Sequence, residues 1–412
     1  MKPRKKNNIN KFFNLTGILF FGVFIFLVVG NVFHKDKTFS ETENRMLAER
    51  PELSVDGLLS GRFESDYETY INDQFVFREA WVYLKGLADT VSGKQESNGV
   101  FRGSDGYLIE NFVSPDAENV EKIQKALGAF KEKYPDLKQY FLLAPTAVNI
   151  MEKNLPVGAP VGDQDLWMDQ VYDSVTENGF LPIDIREHFA ECRDNKVQLY
   201  YRTDHHWTTR GAYEAFVQAA PVMEITEQIP EYRGMTVSDE FRGTLSAKSG
   251  FRMNKKEEIE VQPWEEGLPG SVVTYVSEQK KSGSFYNSEN LTIRDAYTVF
   301  LDGNHPEIKI ETPVEGGRRL LVLKDSYANC FLPFLAPYYR EIVVVDPRYY
   351  YDDLAMLVET EEITDVLYLY NANTFFQDTS LAPLLEAAAV SPEEETPKEA
   401  TASGTEGEPA AE

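Results

Sequence analysis

Asp204, His206 and Ser326 are the residues of this chain whose types suit covalent acyl chemistry. A serine hydroxyl at its ordinary pKa is a poor nucleophile. It needs a neutral imidazole to take its proton and a carboxylate to hold that imidazole in one tautomer. The run Thr203-Asp204-His205-His206-Trp207 supplies the carboxylate and the imidazole. Ser326 stands in Leu321-Val322-Leu323-Lys324-Asp325-Ser326-Tyr327, where an apolar run stops at a polar turn and helix-compatible sequence begins. That is the place for a nucleophile at the tip of a strand. Side chains alternate faces along an extended segment, so Asp204 and His206 are expected on one side and His205 on the other. His206 is then the expected base and Asp204 its orienting partner, with His205 and Trp207 as pocket candidates.

The same residues have plainer readings. Two adjacent histidines in a loop can be polar surface residues. As metal ligands they would need a third or fourth partner, and only His34, His188 and His305 remain as imidazoles, with no HExxH pair and no CxxC. No metal and no cofactor is expected. Oxyanion donors are expected from the backbone N–H of Tyr327 or Ser326, if a helix starts there, and from the side chains of Asn371 and Asn373. Turn capping is the other use of those asparagines. Trp207 either walls an acyl pocket or packs under the histidine, and neither it nor Trp264 distinguishes sugar stacking from core filling by position alone.

The elements that must position these residues follow an alternating pattern. Val100-Phe101-Arg102 and Tyr107-Leu108-Ile109-Glu110 read as a hairpin about Gly103-Ser104-Asp105-Gly106. Asn119 to Lys133, Leu166 to Asn178 and Ala212 to Ala219 have helical spacing, and Tyr140 to Pro145 and Leu181 to Ile185 read as strands. Leu320 to Leu323, Ile342 to Asp346 and Val366 to Tyr370 are apolar runs separated by helix-like stretches, the pattern of a parallel sheet. Sites in such sheets lie at the carboxyl ends of strands, where Ser326 and Asn371-Ala372-Asn373 fall. Residues 226–313 break into short alternating segments, read as a β-rich insertion that either forms part of an acceptor groove or is a structural elaboration.

With these residues in view, the chain resembles the DHHW family. The tetrad Asp204-His205-His206-Trp207 carries the likeness, flanked by Tyr200-Tyr201-Arg202-Thr203 and Thr208-Thr209-Arg210-Gly211-Ala212-Tyr213. That family resembles the SGNH-hydrolase-like O-acetyltransferases that modify alginate in Gram-negative bacteria. There an Asp-x-His-Trp segment precedes the nucleophile and the serine follows in an Asp-Ser-aromatic turn. Asp204 and His206 match the first element and Asp325-Ser326-Tyr327 the second, while the second histidine departs from the wider group. The likeness runs from Glu41-Thr42-Glu43-Asn44-Arg45 through Leu369-Tyr370-Asn371-Ala372-Asn373. It implies an SGNH-hydrolase-like α/β fold, a parallel sheet flanked by helices. It also implies O-acetyl transfer through Ser326, His206 and Asp204, with a membrane-bound O-acyltransferase as acyl supplier and a cell-surface polysaccharide as acceptor. An acetyl esterase would use the same triad. A non-catalytic polysaccharide-binding or scaffold protein would need none, and convergence of Ser326 with His206 separates that class from the enzymes.

The amino terminus addresses the protein to a membrane. Lys2, Arg4, Lys5, Lys6 and Lys11 precede an uncharged stretch from Phe12 to Phe33, long enough to span a bilayer. Basic residues on its near side place that end in the cytoplasm and the remainder outside the cell. A cleaved signal peptide is the competing reading, although the run ends without a small-x-small site. The expected order is a basic segment 1–11, a signal anchor 12–33, a helical stem 34–98, a catalytic body 99–388 and a disordered acidic tail 389–412. A formal charge of −26 gives no electrostatic reason to expect nucleic acid as partner. Cys192 and Cys330 are expected as separate buried thiols, with Cys330 beneath Ser326.

Overall fold

The computed structural model describes residues 5–40, 45–251, 256–263 and 270–390. Lys2, Arg4, Glu41 to Asn44, Trp264 and the tail from Ser391 lie outside the described residues. The chain opens with α1 (Lys5–Phe33), whose stretch Leu15–Phe33 has a mean hydropathy of 2.4 and is long and apolar enough for a membrane anchor or a signal sequence. Helices α2 (Arg62–Gln74) and α3 (Arg78–Val91) follow within the stretch 34–98. The hairpin β1 (Val100–Arg102) and β2 (Leu108–Glu110) pairs antiparallel about Gly103 to Gly106.

The body then alternates helix and strand. Helix α4 (Ala117–Lys133) starts where the Asp116 side chain accepts the Glu118 N–H, and it buries Val120, Ile123, Leu127 and Phe130 at three- and four-residue intervals. Strand β3 (Lys138–Ala144), α5 (Gln164–Glu177), the short β4 (Leu181–Pro182), α6 (Arg186–Asp194) and α7 (Thr209–Val222) come next. Within residues 226–313 lie β5 (Met235–Phe241), α8 (Thr244–Ser249), β6 (Glu257–Val261), β7 (Val272–Tyr275), β8 (Lys280–Ser282) and β9 (Glu307–Glu311). The carboxyl half adds β10 (Arg319–Lys324), α9 (Ala328–Leu335), β11 (Glu341–Val345), α10 (Leu354–Thr360), β12 (Asp365–Asn371), α11 (Ala372–Gln377) and α12 (Leu381–Ala389).

The central sheet has the order β8-β7-β9-β11-β10-β12-β3-β4. Strands β11, β10, β12, β3 and β4 are parallel, as the apolar runs predict, and they are buried almost throughout because helices cover both faces. The sheet is nonetheless mixed. β9 joins β11 antiparallel, and β7 and β8 extend it the same way. Three strands of the segment read as an insertion therefore belong to the main sheet. Among the described residues of that segment, β5 and β6 form a separate ribbon. Short alternating strands carry no information about which edge they will pair with, so sequence alone does not separate the two cases.

Candidate active site

Ser326 sits two residues beyond the end of β10, in a turn made by its neighbour Asp325. The Asp325 N–H continues the parallel pairing by donating to Leu369 O at 3.2 Å, and the Asp325 carboxylate then turns back. Its Oδ1 accepts the Tyr327 N–H at 2.9 Å, and its Oδ2 accepts the Asn371 N–H at 2.9 Å and the Asn371 amide at 2.5 Å. These bonds lock the ends of β10 and β12 together and leave the serine at the tip. Burial pushes the Asp325 carboxyl up to about 6 against the opposing Arg348 charge and these N–H donors. Just below, fully buried Lys324 donates to Asn304 Oδ1 at 2.8 Å and to Asp346 at 3.3 Å, and Arg348 closes on Asp346 at 2.6 Å.

The segment from Tyr200 to Trp207 reaches this turn from the other side. Tyr200 bridges to Trp207, and the residues between them bend rather than extend. The Thr203 N–H and hydroxyl donate to Glu257 Oε1, each at 2.8 Å, and the Arg202 N–H donates to Glu257 Oε2 at 2.6 Å. β6 thereby pins the loop. The Thr203 hydroxyl in turn accepts the Gly243 N–H at 2.9 Å. Gly243 packs so tightly on the loop that a Cβ added there would lie 2.2 Å from Asp204 Cβ. Thr244 closes on Asp204 Oδ2 with its N–H at 2.8 Å and its hydroxyl at 2.9 Å.

Asp204, His206 and Ser326 converge. The His206 Nδ1–H faces Asp204 Oδ1 at 2.5 Å, and His206 Nε2 lies 2.8 Å from the Ser326 hydroxyl. Asp204 and His206 are buried and Ser326 is 8% exposed. Burial, with His205 beside it, lowers the His206 pKa to about 4, so the ring is neutral at pH 7 and able to take a proton. Burial alone would raise the Asp204 carboxyl. The adjacent imidazoles and the N–H bonds from His206 and Thr244 outweigh it and hold the carboxyl well below the usual carboxylate range.

Two aromatic rings clasp the imidazole. Tyr297 stacks on His206 with centroids 3.7 Å apart and planes 9° apart, and His205 lies on the ring at 3.8 Å. His205 thus does not point to the opposite face as an extended segment would require, because the loop is bent. Its Nδ1 lies 3.0 Å from the Thr244 hydroxyl. Trp207 walls no pocket. It is fully buried, its Nε1–H donates to Tyr327 O at 2.9 Å, and it packs on Phe331 beneath the serine turn. Cys330 is also buried there and accepts from the Tyr297 hydroxyl at 3.0 Å, with Cys192 a separate free thiol.

The expected oxyanion donors need correction. The Tyr327 N–H is spent on Asp325 and both N–H groups of the Asn371 amide on Asp325 and Thr374, while the Asn373 amide gives one of its two N–H groups to Asn111 O at 3.1 Å. Asn371 caps α11, accepting the Thr374 N–H. Among the described residues the Ser326 N–H has no such partner. It lies just before α9, where the helix end adds partial positive charge.

Tyr297, Thr244, Glu257 and Asp295 are site residues that the sequence did not single out. All four come from the 226–313 segment. Asp295 lies near Asp204 and His205, and its Oδ1 is buried without a partner. A cavity of about 390 Å³ between α3 and this segment, reaching Arg242, Gly243 and Ala296, lies on the Asp204 side. Two groups of described residues gather three metal-ligand atoms, Asp204/His205/His206 and His188/Cys192/Glu214. In the first, both His206 nitrogens already have partners. In the second, Glu214 Oε2 meets His188 at 2.9 Å while Arg210 holds Oε1 at 2.6 Å, a cation already in place.

Residues 101–293 match the family model described as SGNH hydrolase-like domain, acetyltransferase AlgX. The match includes Asp204 and His206 and stops short of Ser326. No curated protein matches the chain. Among solved structures, a DHHW family protein from Eubacterium siraeum aligns with a TM-score of 0.58 at 22% identity, covering 70% of this chain and 95% of the other. Bacillus cereus PatB1, in a structure described as carrying a sulfonyl adduct, aligns with a TM-score of 0.56 at 20% identity, covering 69% and 99%. These likenesses establish a shared fold. The resemblance of this chain to the DHHW family and to the SGNH hydrolase-like acetyltransferases therefore rests on a sequence match over residues 101–293 and on a fold shared along most of the body.

Proposed function

We propose that this protein is a membrane-anchored, extracellular O-acetyltransferase that passes an acetyl group to a cell-surface polysaccharide through an ester on Ser326. The observation that carries the reading is the chain of contacts from Asp204 through His206 to Ser326, 2.5 Å and 2.8 Å long. Ser326 Oγ attacks the acyl carbonyl while His206 Nε2 takes its proton, and Asp204 balances the imidazolium charge. The Ser326 N–H is the donor available for the developing oxyanion, and one such donor is worth about 3 kcal/mol. His206 returns the proton to the leaving group as the C–O or C–S bond of the donor breaks, leaving acetyl-Ser326. A sugar hydroxyl then gives its proton to His206 and attacks the ester, and His206 passes that proton to Ser326 Oγ as the Oγ–acyl bond breaks.

The rest of the reading follows from the resemblance. A membrane-bound O-acyltransferase supplies the acetyl group, and α1 keeps the body, residues 99–388, outside the cell. The same acyl-serine would hydrolyse if water reached it first, so transferase and esterase share every step up to that ester. The test is intact and peptide mass spectrometry of the purified chain after exposure to an activated acetyl ester, comparing wild type with Ser326→Ala and His206→Ala. An acetyl adduct on Ser326, absent from both variants and discharged onto added oligosaccharide, supports the proposal. Discharge only to water would assign an esterase, and no adduct from any donor would assign a binding or scaffold role.

A further inference from the structure

Helix α3 carries an apolar stripe that the described part of the protein leaves largely exposed. Trp81, Leu84, Ala88 and Val91 succeed one another at intervals of three and four residues, which at about 100° per residue puts them within about 80° of one face, and Phe77 stands just before the helix at the head of this stripe. Phe77 is 58% exposed, Trp81 43%, Leu84 50% and Val91 82%. The opposite face is the one that docks. Gly86 lies against Gly250, where an added Cβ would stand 2.5 Å from the Gly250 carbonyl carbon, so the helix cannot roll to hide its stripe. Outside α1, half of the large exposed apolar side chains among the described residues fall between Leu53 and Val91. Such concentration marks an interaction surface rather than scattered exposure.

The start of α3 is also tied to α1. Phe77 stacks on Phe26 with ring centroids 6.2 Å apart and planes 12° apart. The Val76 N–H donates to Asn31 Oδ1 at 3.0 Å, and the Val76 side chain packs over Gly30. Phe26 precedes the end of α1 at Phe33 by seven residues, about 10 Å along the helix. The stripe therefore begins about 10 Å short of the end of α1, a depth that an interfacial helix face reaches.

We infer that this face of α3 lies in the interfacial layer of the bilayer that α1 crosses, with lipid as its occupant. The inference rests on α1 being a retained anchor. Continuity with α1 favours lipid, and so does Trp81, whose Nε1–H is satisfied by Val76 O at 3.1 Å while its ring stays outside. A chain of formal charge −26 gains little from anionic headgroups, so apolar insertion holds the helix down. Two attachments, α1 and α3, would fix the height and tilt of the body, and with them the distance of Ser326 from a donor delivered at the membrane.

The test uses the full chain in lipid nanodiscs, with Cys192 and Cys330 replaced by alanine and a nitroxide placed at Leu84→Cys, at Val91→Cys or at the exposed control Glu187→Cys. The expected result is loss of collision with an aqueous nickel chelate and gain of collision with oxygen at the two α3 positions relative to the control, at unchanged thermal unfolding temperature. Equal access to the chelate at all three positions would overturn the inference. So would shielding from both reagents, which means a protein partner or a second copy on this face. Intact mass reports separately on the anchor, and a chain lacking α1 would remove the premise while leaving acetyl-Ser326 formation testable.

Discussion

Asp295→Asn should stabilise the protein at pH 8 and leave it unchanged near pH 4. Asp295 is 9% exposed, its Oδ1 has no hydrogen-bond partner, and burial followed by the charge of Asp204 pushes its carboxyl up to about 7. In the unfolded chain the same group ionises near its ordinary value of about 3.9. Below that value both states hold the proton and the raised pKa costs nothing. As pH climbs toward 7 the unfolded chain releases its proton while the folded chain keeps it, so stability falls, and above 7 the cost is constant. Three pKa units at about 1.36 kcal/mol each set a ceiling of about 4 kcal/mol. Asparagine copies the shape of the protonated acid and does not titrate, so the variant escapes the loss. The assay is thermal unfolding of the detergent-purified full chain and its variant at pH 4.5, 6 and 8. The expected gain in Tm grows from near zero to several degrees, at about 2–4 °C per kcal/mol for a large domain. A difference that does not change with pH, or a variant that becomes less stable as pH rises, would show that Asp295 is ionised and paired in the folded state, and the reasoning from its burial would fail.

Three further outcomes follow from the geometry. Acylation of Ser326 by an activated ester should hold its rate from neutral pH down to about 5 and fall tenfold per unit below about 4, because His206 must be neutral to accept the proton and its pKa is lowered to about 4. A midpoint near 6.5 in the pH–rate profile would contradict the burial argument. Gly243→Ala should cut acylation by about 10²-fold, since its φ of −76° accepts any residue but its Cβ would strike Asp204 Cβ at 2.2 Å and shift the carboxylate from His206; single-turnover kinetics alongside a folding check would measure this. Trp207→Phe should cost about 1 kcal/mol in urea unfolding by removing the buried indole N–H bond to Tyr327 O, and it should slow acylation as well, because that carbonyl belongs to the turn that carries Ser326.

The parts legible in the sequence are those encoded within a few residues. Apolar runs of strand length at β3, β10, β11 and β12 announce a buried parallel sheet, because strands covered on both faces need no polar positions. The helical spacing of α4 and α5 is equally local. Ser326 stands out because an apolar run ends abruptly in Asp325-Ser326-Tyr327, and Asp204 with His206 because their types and spacing make a carboxylate–imidazole pair. The argument for His205 failed for an instructive reason. Alternation of faces requires extended backbone, and Glu257 draws the Arg202 and Thr203 N–H groups into a bend instead.

What the sequence alone determined is the chemistry available and the strand that presents it: a nucleophile at a strand tip, a base and its acid partner two residues apart, and an apolar α1 at the amino terminus. Only the tertiary structure decided that Tyr297 flanks His206, that Thr244 and Gly243 hold Asp204, that Asp325 takes the donors of Tyr327 and Asn371, and that β7 to β9 extend the sheet. Each of those depends on contacts between residues tens of positions apart, set by the pairing of strands and the packing of loops at their ends. No local period or propensity records such contacts, because a side chain's partner across a fold is chosen by the geometry of everything between them.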